Sequence, residues 1–372
     1  MAASLAIASI ALRNFRNIAS ADLTDLARFT VFSGNNGQGK TSVLEAVYLV
    51  CTTRSFRTAR LGEIVRHGED VASVRAKLVE GSDTREQVIG LRGSIRTVSA
   101  AGKRPPSLAA YAVQSPAVVF HPGEMVLSSG PASRRRTLLD RIALFVDPTS
   151  MDHLKRYTEA SRSRQRVLET RGTSAPDLDG FESIIATHGA AISRIRREAS
   201  HRIASELATS FPRITAETRL LEAQYQPGGP EEEAPLLAAL KAQRERDRHR
   251  GSASAGPHRD DLSLRLGGYD VRIDGSQGEH RAVTLALKLA ELSCIAAARG
   301  VHPVLLLDDV SSELDLSRTA LLFDFLRETP GQILLTTTRP GLIDTRGLDP
   351  SGRRDFHLRG GVAKEGPIEG KS

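Results

Sequence analysis

The chain has 372 residues, of which 40% are hydrophobic and 26% are charged, and its formal net charge is +7. This length favours about two domains with a sizeable apolar core, and the basic balance is compatible with nucleic acid, an acidic partner or an anionic surface. No stretch reaches the roughly 18 uncharged apolar residues of a membrane helix, and the apolar start lacks a basic flank and a cleavage site, so we expect a cytoplasmic protein without a signal peptide or a membrane partner.

The first part of the chain has the pattern of an α/β domain. Short runs that alternate apolar and polar residues predict strands between residues 5 and 31, and the last of them, residues 28–32, ends at a glycine-rich loop. Residues 40–51 have helical spacing, and further strands are expected between residues 71 and 95. The order strand, loop, helix is typical of a phosphate-binding unit.

The middle of the chain is predicted to be helical from residue 133 to about residue 210. A Pro/Gly/Glu-rich linker at 226–233 and another helix follow, before strand patterns return at 262–266 and 269–273. A helix at 279–299, a continuous apolar strand at 304–307 and a loosely ordered tail after Ser351 complete the chain. These patterns predict an α/β lobe at 1–125, a mainly helical lobe inserted at 126–255, and the rest of the α/β domain at 256–372.

The glycine-rich loop fits the pattern G-x-x-x-x-G-K-[ST] in full. Glycines let successive backbone N–H groups point at phosphate oxygens, and the helix that follows adds its positive N-terminus. Lys40 adds a full charge on the β- and γ-phosphates, and the hydroxyl of Thr41 is a ligand for Mg²⁺. The predicted ATP-binding residues are Gly34, Asn35, Asn36, Gly37, Gln38, Gly39, Lys40, Thr41 and Ser42.

The apolar strand at 304–307 ends in two acids, Asp308 and Asp309. Acids at the carboxyl end of a buried parallel strand stand where open α/β sheets bind their ligands. We expect Asp308 to hold Mg²⁺ together with Thr41, and Asp309 to orient the attacking water or accept its proton.

The segment Ser276, Gln277, Gly278 and Glu279 opens the long helix and is similar to the signature motif of ABC-type ATPases. Taken alone it is an ordinary capping box, but the order of loop, helical insert, signature and acidic strand is that of an ABC-type head. Ser312 and Asp315 then resemble the D-loop. In such a head the signature of a second subunit caps the γ-phosphate, so ATP would join two subunits.

Several segments together resemble the RecF family of bacterial DNA-repair proteins. They are residues 12–17, 36–46, 54–57, 130–136, 256–261 and 276–291. The resemblance implies an ABC-type head with a mixed sheet, a weak DNA-stimulated ATPase that acts as a switch, and an ATP-dependent homodimer that clamps gapped or junction DNA. It also implies that the protein acts with RecR, RecO and RecA in DNA repair, DNA replication and the SOS response, and that it lies near the nucleoid.

Two features differ from transporter-type heads. Asp309 stands where those heads have Glu, and residues 333–338 contain threonines but no switch histidine. The Q-loop glutamine has one candidate, Gln114.

Candidate DNA contacts are basic residues of the helical block: Arg134, Arg135, Arg136, Lys155, Arg162 and Arg166. For each of them a merely solvated helix surface is an equal alternative. Because aromatics are only 4% and Trp is absent, stacking of single strands on an aromatic platform is disfavoured.

Two other functions are compatible with parts of the pattern. The ATPase subunit of a transporter or another partner-coupled machine would share the nucleotide motifs, but the basic helical insert, Asp309 and the missing histidine disfavour it. A structural head of the SMC or nuclease-partner kind is disfavoured because no long coiled coil is present.

Overall fold

The computed structural model describes residues 3–215, 218–309, 316–343 and 352–366. The chain divides into two compact units. Unit 1 consists of residues 1–125, 210–218 and 277–372, and unit 2 consists of residues 126–209 and 219–276.

The strands are, in chain order, β1 (Ala3–Phe15), β2 (Ile18–Leu23), β3 (Phe29–Ser33), β4 (Val71–Glu80), β5 (Asp83–Arg92), β6 (Ile95–Ala100), β7 (Ala117–Phe120), β8 (Leu221–Gln226), β9 (Asp261–Leu266), β10 (Tyr269–Asp270), β11 (Val301–His302), β12 (Val304–Leu307), β13 (Ile333–Thr337), β14 (Arg353–Arg359) and β15 (Val362–Glu365). The helices are α1 (Lys40–Thr52), α2 (Leu108–Gln114), α3 (Val126–Ser129), α4 (Ala132–Val146), α5 (Ser150–Arg171), α6 (Asp177–Thr215), α7 (Glu233–Ala242), α8 (Arg244–Arg250), α9 (Val271–Asp274), α10 (Gln277–Arg299) and α11 (Leu316–Glu328).

A mixed sheet with the order β15-β14-β3-β13-β12-β7 lies in unit 1. All neighbours from β14 to β7 run parallel, and only β15 is antiparallel. Strands β3, β7, β12 and β13 are buried along their whole length, as their continuous apolar sequences predict. Because parallel strands end at the same edge, the loops after β3, β12 and β13 meet there.

A second sheet of unit 1 has the order β11-β1-β4-β5-β6, with β2 paired to β1. A buried amide ties it to the mixed sheet: Gln332 accepts a hydrogen bond from the Ile7 N–H at 2.8 Å and donates one to the Ile7 carbonyl at 2.9 Å. Helix α1 is buried over most of its length, which is expected for a helix that is apolar on nearly every side.

Unit 2 is mainly helical, and its small antiparallel sheet has the order β10-β9-β8. Within it, α5, α6 and α8 are joined by a buried arginine. Arg164 pairs with Glu182 at 2.9 Å and with Asp247 at 2.8 Å, and all three side chains are at most 1% exposed. Each charge therefore has a partner, as burial of a charge requires.

The α/β class, the mixed sheet and the helical insert are confirmed, and three details differ. The second boundary between the units falls after Ser276 instead of after residue 255, because β9 pairs with β8 and α9 packs on β9. The predicted strand at 269–273 ends at Asp270. The predicted loose tail contains β14, in which buried and exposed residues alternate after its start, and β15, the edge strand, which has no buried residue.

Candidate nucleotide site

The glycine-rich loop connects β3 to α1 at the carboxyl edge of the mixed sheet. Gly34, Gly37 and Gly39 have φ angles of 139°, 79° and 106°, in a backbone region that residues with a side chain rarely adopt. A Cβ on Gly34 would lie 2.4 Å from the carbonyl oxygen of Leu358. The loop therefore needs glycine for its conformation and, at Gly34, for space, and it leads directly into the N-terminus of α1.

Lys40 begins α1 and lies across this loop. Its ammonium group donates hydrogen bonds to the carbonyl oxygens of Gly34 at 2.7 Å and Asn35 at 2.9 Å. Burial lowers the pKa of Lys40, and the charges of Asp309 and Asp308 oppose that shift. The lysine is therefore close to both acids, in the position that a phosphate-binding cation requires.

Asp308 and Asp309 follow β12 at the same edge. The Asp308 carboxylate is 6% exposed and accepts hydrogen bonds from the hydroxyls of Thr41, at 2.8 Å, and Thr336, at 2.7 Å. The Thr336 hydroxyl in turn accepts the backbone N–H of Asp309 at 2.9 Å. Hydrogen bonds thus connect the start of α1 and the end of β13 to the carboxylate that follows β12. The structure brings Lys40, Thr41, Asp308 and Asp309 to one edge of the sheet.

The backbone of Asp309 has a φ of 52°, which is uncommon for a residue other than glycine. The hydrogen bond from its N–H to Thr336 holds this conformation. Thr336 was not among the predicted site residues. Its only signal in the sequence is its place near the end of a buried strand, which becomes informative once β13 is known to lie beside β12.

The donor set at this edge fits Mg²⁺. The ion prefers carboxylate oxygens together with substrate phosphates and water, and the Thr41 hydroxyl and the Asp308 carboxylate are already in contact. Hydroxyl, carboxylate and loop are adjacent, so a cation bound by Thr41 and Asp308 would lie beside phosphates bound by the loop.

A groove of about 970 Å³ opens beside the loop and is lined by Lys40, Thr41, Asp309 and Thr336, among others. Arg16 and Arg57 line it too, and the carboxylate of Glu45 holds both. Glu45 accepts two bonds from Arg16, at 2.7 and 2.9 Å, and one from Arg57 at 3.1 Å. Its side chain is fully buried, whereas that of Arg57 is 42% exposed. The groove therefore has a positive wall whose position depends on one buried acid.

The predicted signature lies at the start of α10. Ser276 and Gln277 are exposed, and Gly278 and Glu279 are partly buried. Ser276 is the last residue assigned to unit 2, and Gln277 begins a 23-residue helix of unit 1. A helix start has backbone N–H groups without intrahelical partners, which suits it to bind an anion. The predicted D-loop residues Ser312 and Asp315 lie outside the described residues.

The prediction for Gln114 is corrected by the topology. Gln114 ends α2, ahead of β7, whose Phe120 lies beside Leu307 of β12. It is therefore at the amino edge of the sheet, and the four residues of β7, at about 3.3 Å each, separate it from the nucleotide edge. The residue that follows β7 at the correct edge is His121, whose ring packs on Phe56 with centroids 4.8 Å apart.

The candidate DNA contacts divide into two groups. Arg134, Lys155, Arg162 and Arg166 are exposed. Arg135 is 3% exposed, pairs with both carboxylate oxygens of Asp261 and is removed from the candidates, because its donors are engaged inside unit 2. Arg136 is partly buried and donates to the Asp260 carbonyl at 2.8 Å, and burial lowers its pKa.

No helix in the described part of the chain combines the length and apolar character needed to cross a bilayer.

Comparisons with known proteins agree with this geometry. A family model described as an AAA domain matches residues 9–99. The DNA replication and repair protein RecF of Anaeromyxobacter sp. (strain Fw109-5) is 38% identical over 369 residues, covering 95% of this chain and 97% of the relative. The RecF of Myxococcus xanthus (strain DK1622) is 34% identical over 357 residues, covering 93% and 94%.

Solved structures extend the similarity to the fold. A structure of the recombination mediator protein RecF with ATP, described as part of the RecFOR pathway, has a TM-score of 0.87 at 26% identity and covers 99% of each chain. An Smc head domain from Pyrococcus furiosus has a TM-score of 0.55 at 16% identity, covers 97% of this chain and 96% of that chain, and supports the fold alone.

Proposed function

This chain belongs to the RecF family, and on that basis we propose that it is an ATP-dependent DNA-binding clamp of recombinational repair and replication restart. The observation that supports this best is that Thr41 and Thr336 both donate to the Asp308 carboxylate, directly beside the glycine-rich loop, while Thr336 also accepts the N–H of Asp309. Its family membership disfavours the transporter subunit as an alternative.

In the proposed site the loop N–H groups and Lys40 bind the β- and γ-phosphates of ATP. Thr41 and Asp308 hold Mg²⁺, which neutralises charge on the phosphate oxygens when bound. Asp309 orients the attacking water or accepts its proton, and Thr336 holds Asp309 in place through the backbone. We propose slow hydrolysis, in which turnover releases the clamp.

We propose that ATP joins two subunits. The signature residues Ser276, Gln277, Gly278 and Glu279 of one subunit would cap the γ-phosphate bound by the other, and Ser312 and Asp315 would form the D-loop. The exposure of Ser276 and Gln277 supports this arrangement because a second subunit can reach them. Each hydrolytic event then requires assembly, so dimerisation would limit turnover.

We propose that DNA contacts involve the exposed basic residues Arg134, Lys155, Arg162 and Arg166, together with the partly buried Arg136. Few features suggest base readout, so a gap or a junction is the expected target. By family membership the proposed partners are RecR and RecO, which would act with this protein to help load the recombinase RecA, in the cytoplasm close to the nucleoid.

The experiment that tests this function is binding to a labelled gapped duplex with ATP, with ADP and without nucleotide, across a salt series. We expect tight binding only with ATP, a steep dependence on protein concentration, and an affinity that falls with salt at a slope of about 0.9 per phosphate contacted. Absence of DNA binding in every nucleotide state would refute the clamp and leave a nucleotide-binding protein with another partner.

Two substitutions separate the parts of the proposal. Lys40→Met should weaken nucleotide binding itself, since it removes the charge on the phosphates. Ser276→Arg should leave nucleotide binding by the monomer intact and abolish the ATP-dependent dimer in sedimentation analysis. An unimpaired dimer would refute the assignment of the signature.

A further inference from the structure

An exposed asparagine spans the glycine-rich loop from outside. The Nδ2 of Asn17, in the turn between β1 and β2, donates to the Gly37 carbonyl at 3.0 Å. Its Oδ1 accepts the hydroxyl of Ser42, in the first turn of α1, at 3.0 Å. A carbonyl can only accept a hydrogen bond, so the chemistry of Gly37 fixes the orientation of the amide. One side chain thus connects the tip of the loop to the helix after it.

The hairpin of β14 and β15 contacts the same loop from the other end of the chain. The N–H of Gly360 donates to the Gln38 side-chain oxygen at 2.5 Å, and the N–H of Gly361 donates to the Gln38 carbonyl at 3.1 Å. Gly361 is buried with a φ of 81°, and a Cβ there would lie 2.6 Å from the carbonyl oxygen of Asn17. The hairpin turn is therefore packed between Gln38 and Asn17.

We propose that Asn17 and Gly361 are positioning residues of the nucleotide site, which makes the hairpin at residues 353–365 a part of that site. This inference rests on the proposed binding of ATP by the loop. Gly361 fixes the β1–β2 turn, and that turn presents Asn17 to the loop. The two residues are separated by most of the chain, and neither lies within the phosphate-binding motif.

The physical reason for such support is the loop's own composition. Fixing the backbone of a residue costs conformational entropy, and glycine loses more freedom than other residues. A loop with positive φ at Gly34, Gly37 and Gly39 would lose part of its binding energy to ordering if it were mobile before the nucleotide arrives. Because Asn17 and Gly361 support the loop, the loop is ordered before the nucleotide binds.

The test compares two glycine substitutions with equal backbone strain. Gly361→Ala and Gly102→Ala both place alanine at a similar φ, 81° and 74°, but a Cβ on Gly102 meets nothing within 4 Å. Affinity for a fluorescent ATP analogue would be titrated for both, with thermal melts to confirm folding. We expect about tenfold weaker binding for Gly361→Ala and a change of less than about twofold for Gly102→Ala, with both variants folded at the temperature of the titration.

Asn17→Ala is the second test of the positioning role. Asn17 is exposed, so removal of its side chain leaves the core intact. Loss of two hydrogen bonds predicts about tenfold weaker binding of both ATP and ADP. At saturating ATP the turnover should be unchanged while KM rises, since the loop binds ground state and transition state alike. Asn17→Asp keeps the acceptor for Ser42 but cannot donate to Gly37, so it should not restore affinity.

The outcomes distinguish this inference from the proposed function. If the unmodified protein binds no ATP, the proposed function is wrong. If it binds ATP and both Gly361→Ala and Asn17→Ala bind with unchanged affinity, only the positioning role is refuted. The role is also refuted if Gly102→Ala weakens binding as much as Gly361→Ala does.

Discussion

Thr336 offers a direct test of how Asp308 and Asp309, the acids of the proposed nucleotide site, are held. Thr336→Val replaces one hydroxyl with a methyl group of similar shape on a strand that favours β-branched residues. Thr336 is 2% exposed, and the substitution removes both its hydrogen bond to the Asp308 carboxylate and the acceptor of the Asp309 N–H. A bond to a charged group contributes about 1.5–3 kcal/mol, and a stranded buried N–H costs about 1–3 kcal/mol.

The lower end of that sum, about 2.5 kcal/mol, corresponds to nearly two orders of magnitude in a rate that depends on the position of Asp309. We therefore expect Thr336→Val to retain most of its nucleotide affinity and to lose about a hundredfold in single-turnover ATP hydrolysis. Thr30→Val is the matched control, because Thr30 is also buried and, among the described residues, its hydroxyl bonds only to the Ala27 carbonyl, at 3.1 Å. Hydrolysis by Thr336→Val at the unmodified rate would refute the reasoning.

The remaining predictions concern buried ionisable groups. Glu45→Gln removes the charge that anchors Arg57, so it should lower the free energy of unfolding by about 1.5–3 kcal/mol and weaken nucleotide binding. Chemical denaturation measures the first effect and nucleotide titration measures the second. Unchanged values would contradict the role of Glu45. Arg164→Met removes the cation that pairs with buried Asp247 and leaves buried Glu182 with Arg244 alone, so it should cost about 3 kcal/mol in urea unfolding. Arg162→Met, at an exposed position on the same helix, should cost almost nothing. Burial lowers the pKa of His258, so the folded protein prefers the neutral form of its ring. The contribution of His258 to folding stability should therefore be complete above about pH 6.5 and should decline as the pH falls below that value. His258→Gln should flatten that acid-side decline in a series of thermal melts, and an unchanged profile would exclude His258 as its source.

The nucleotide motifs were predictable because each depends on a local pattern. The loop around Lys40 needs glycines at fixed spacing, and Asp308 follows an apolar strand that can only be buried. Both signals lie within a few residues of the group they identify, and the structure places them together.

The errors arose where function depends on a distant partner. Arg135 belongs to a basic cluster in the sequence, but its partner Asp261 lies 126 residues away, and only the fold brings them together. Gln114 is near the right strand in sequence but at the wrong end of it. Residues after Ser351 have too few apolar positions to predict a strand unambiguously, although β14 pairs with β3 and adjoins the loop.

The arrangement at Asp308 bears on which step limits the proposed switch. The loop, Lys40, both acids and their supporting threonine are connected by hydrogen bonds within unit 1, so half of the site is assembled before a second subunit is needed. Ser276, by contrast, is exposed at the start of a long helix, where it can serve another subunit. Binding of ATP should therefore be fast and independent of protein concentration, while hydrolysis should depend on the meeting of two subunits. Under the proposed function, such a site would hold its nucleotide until a second subunit arrives.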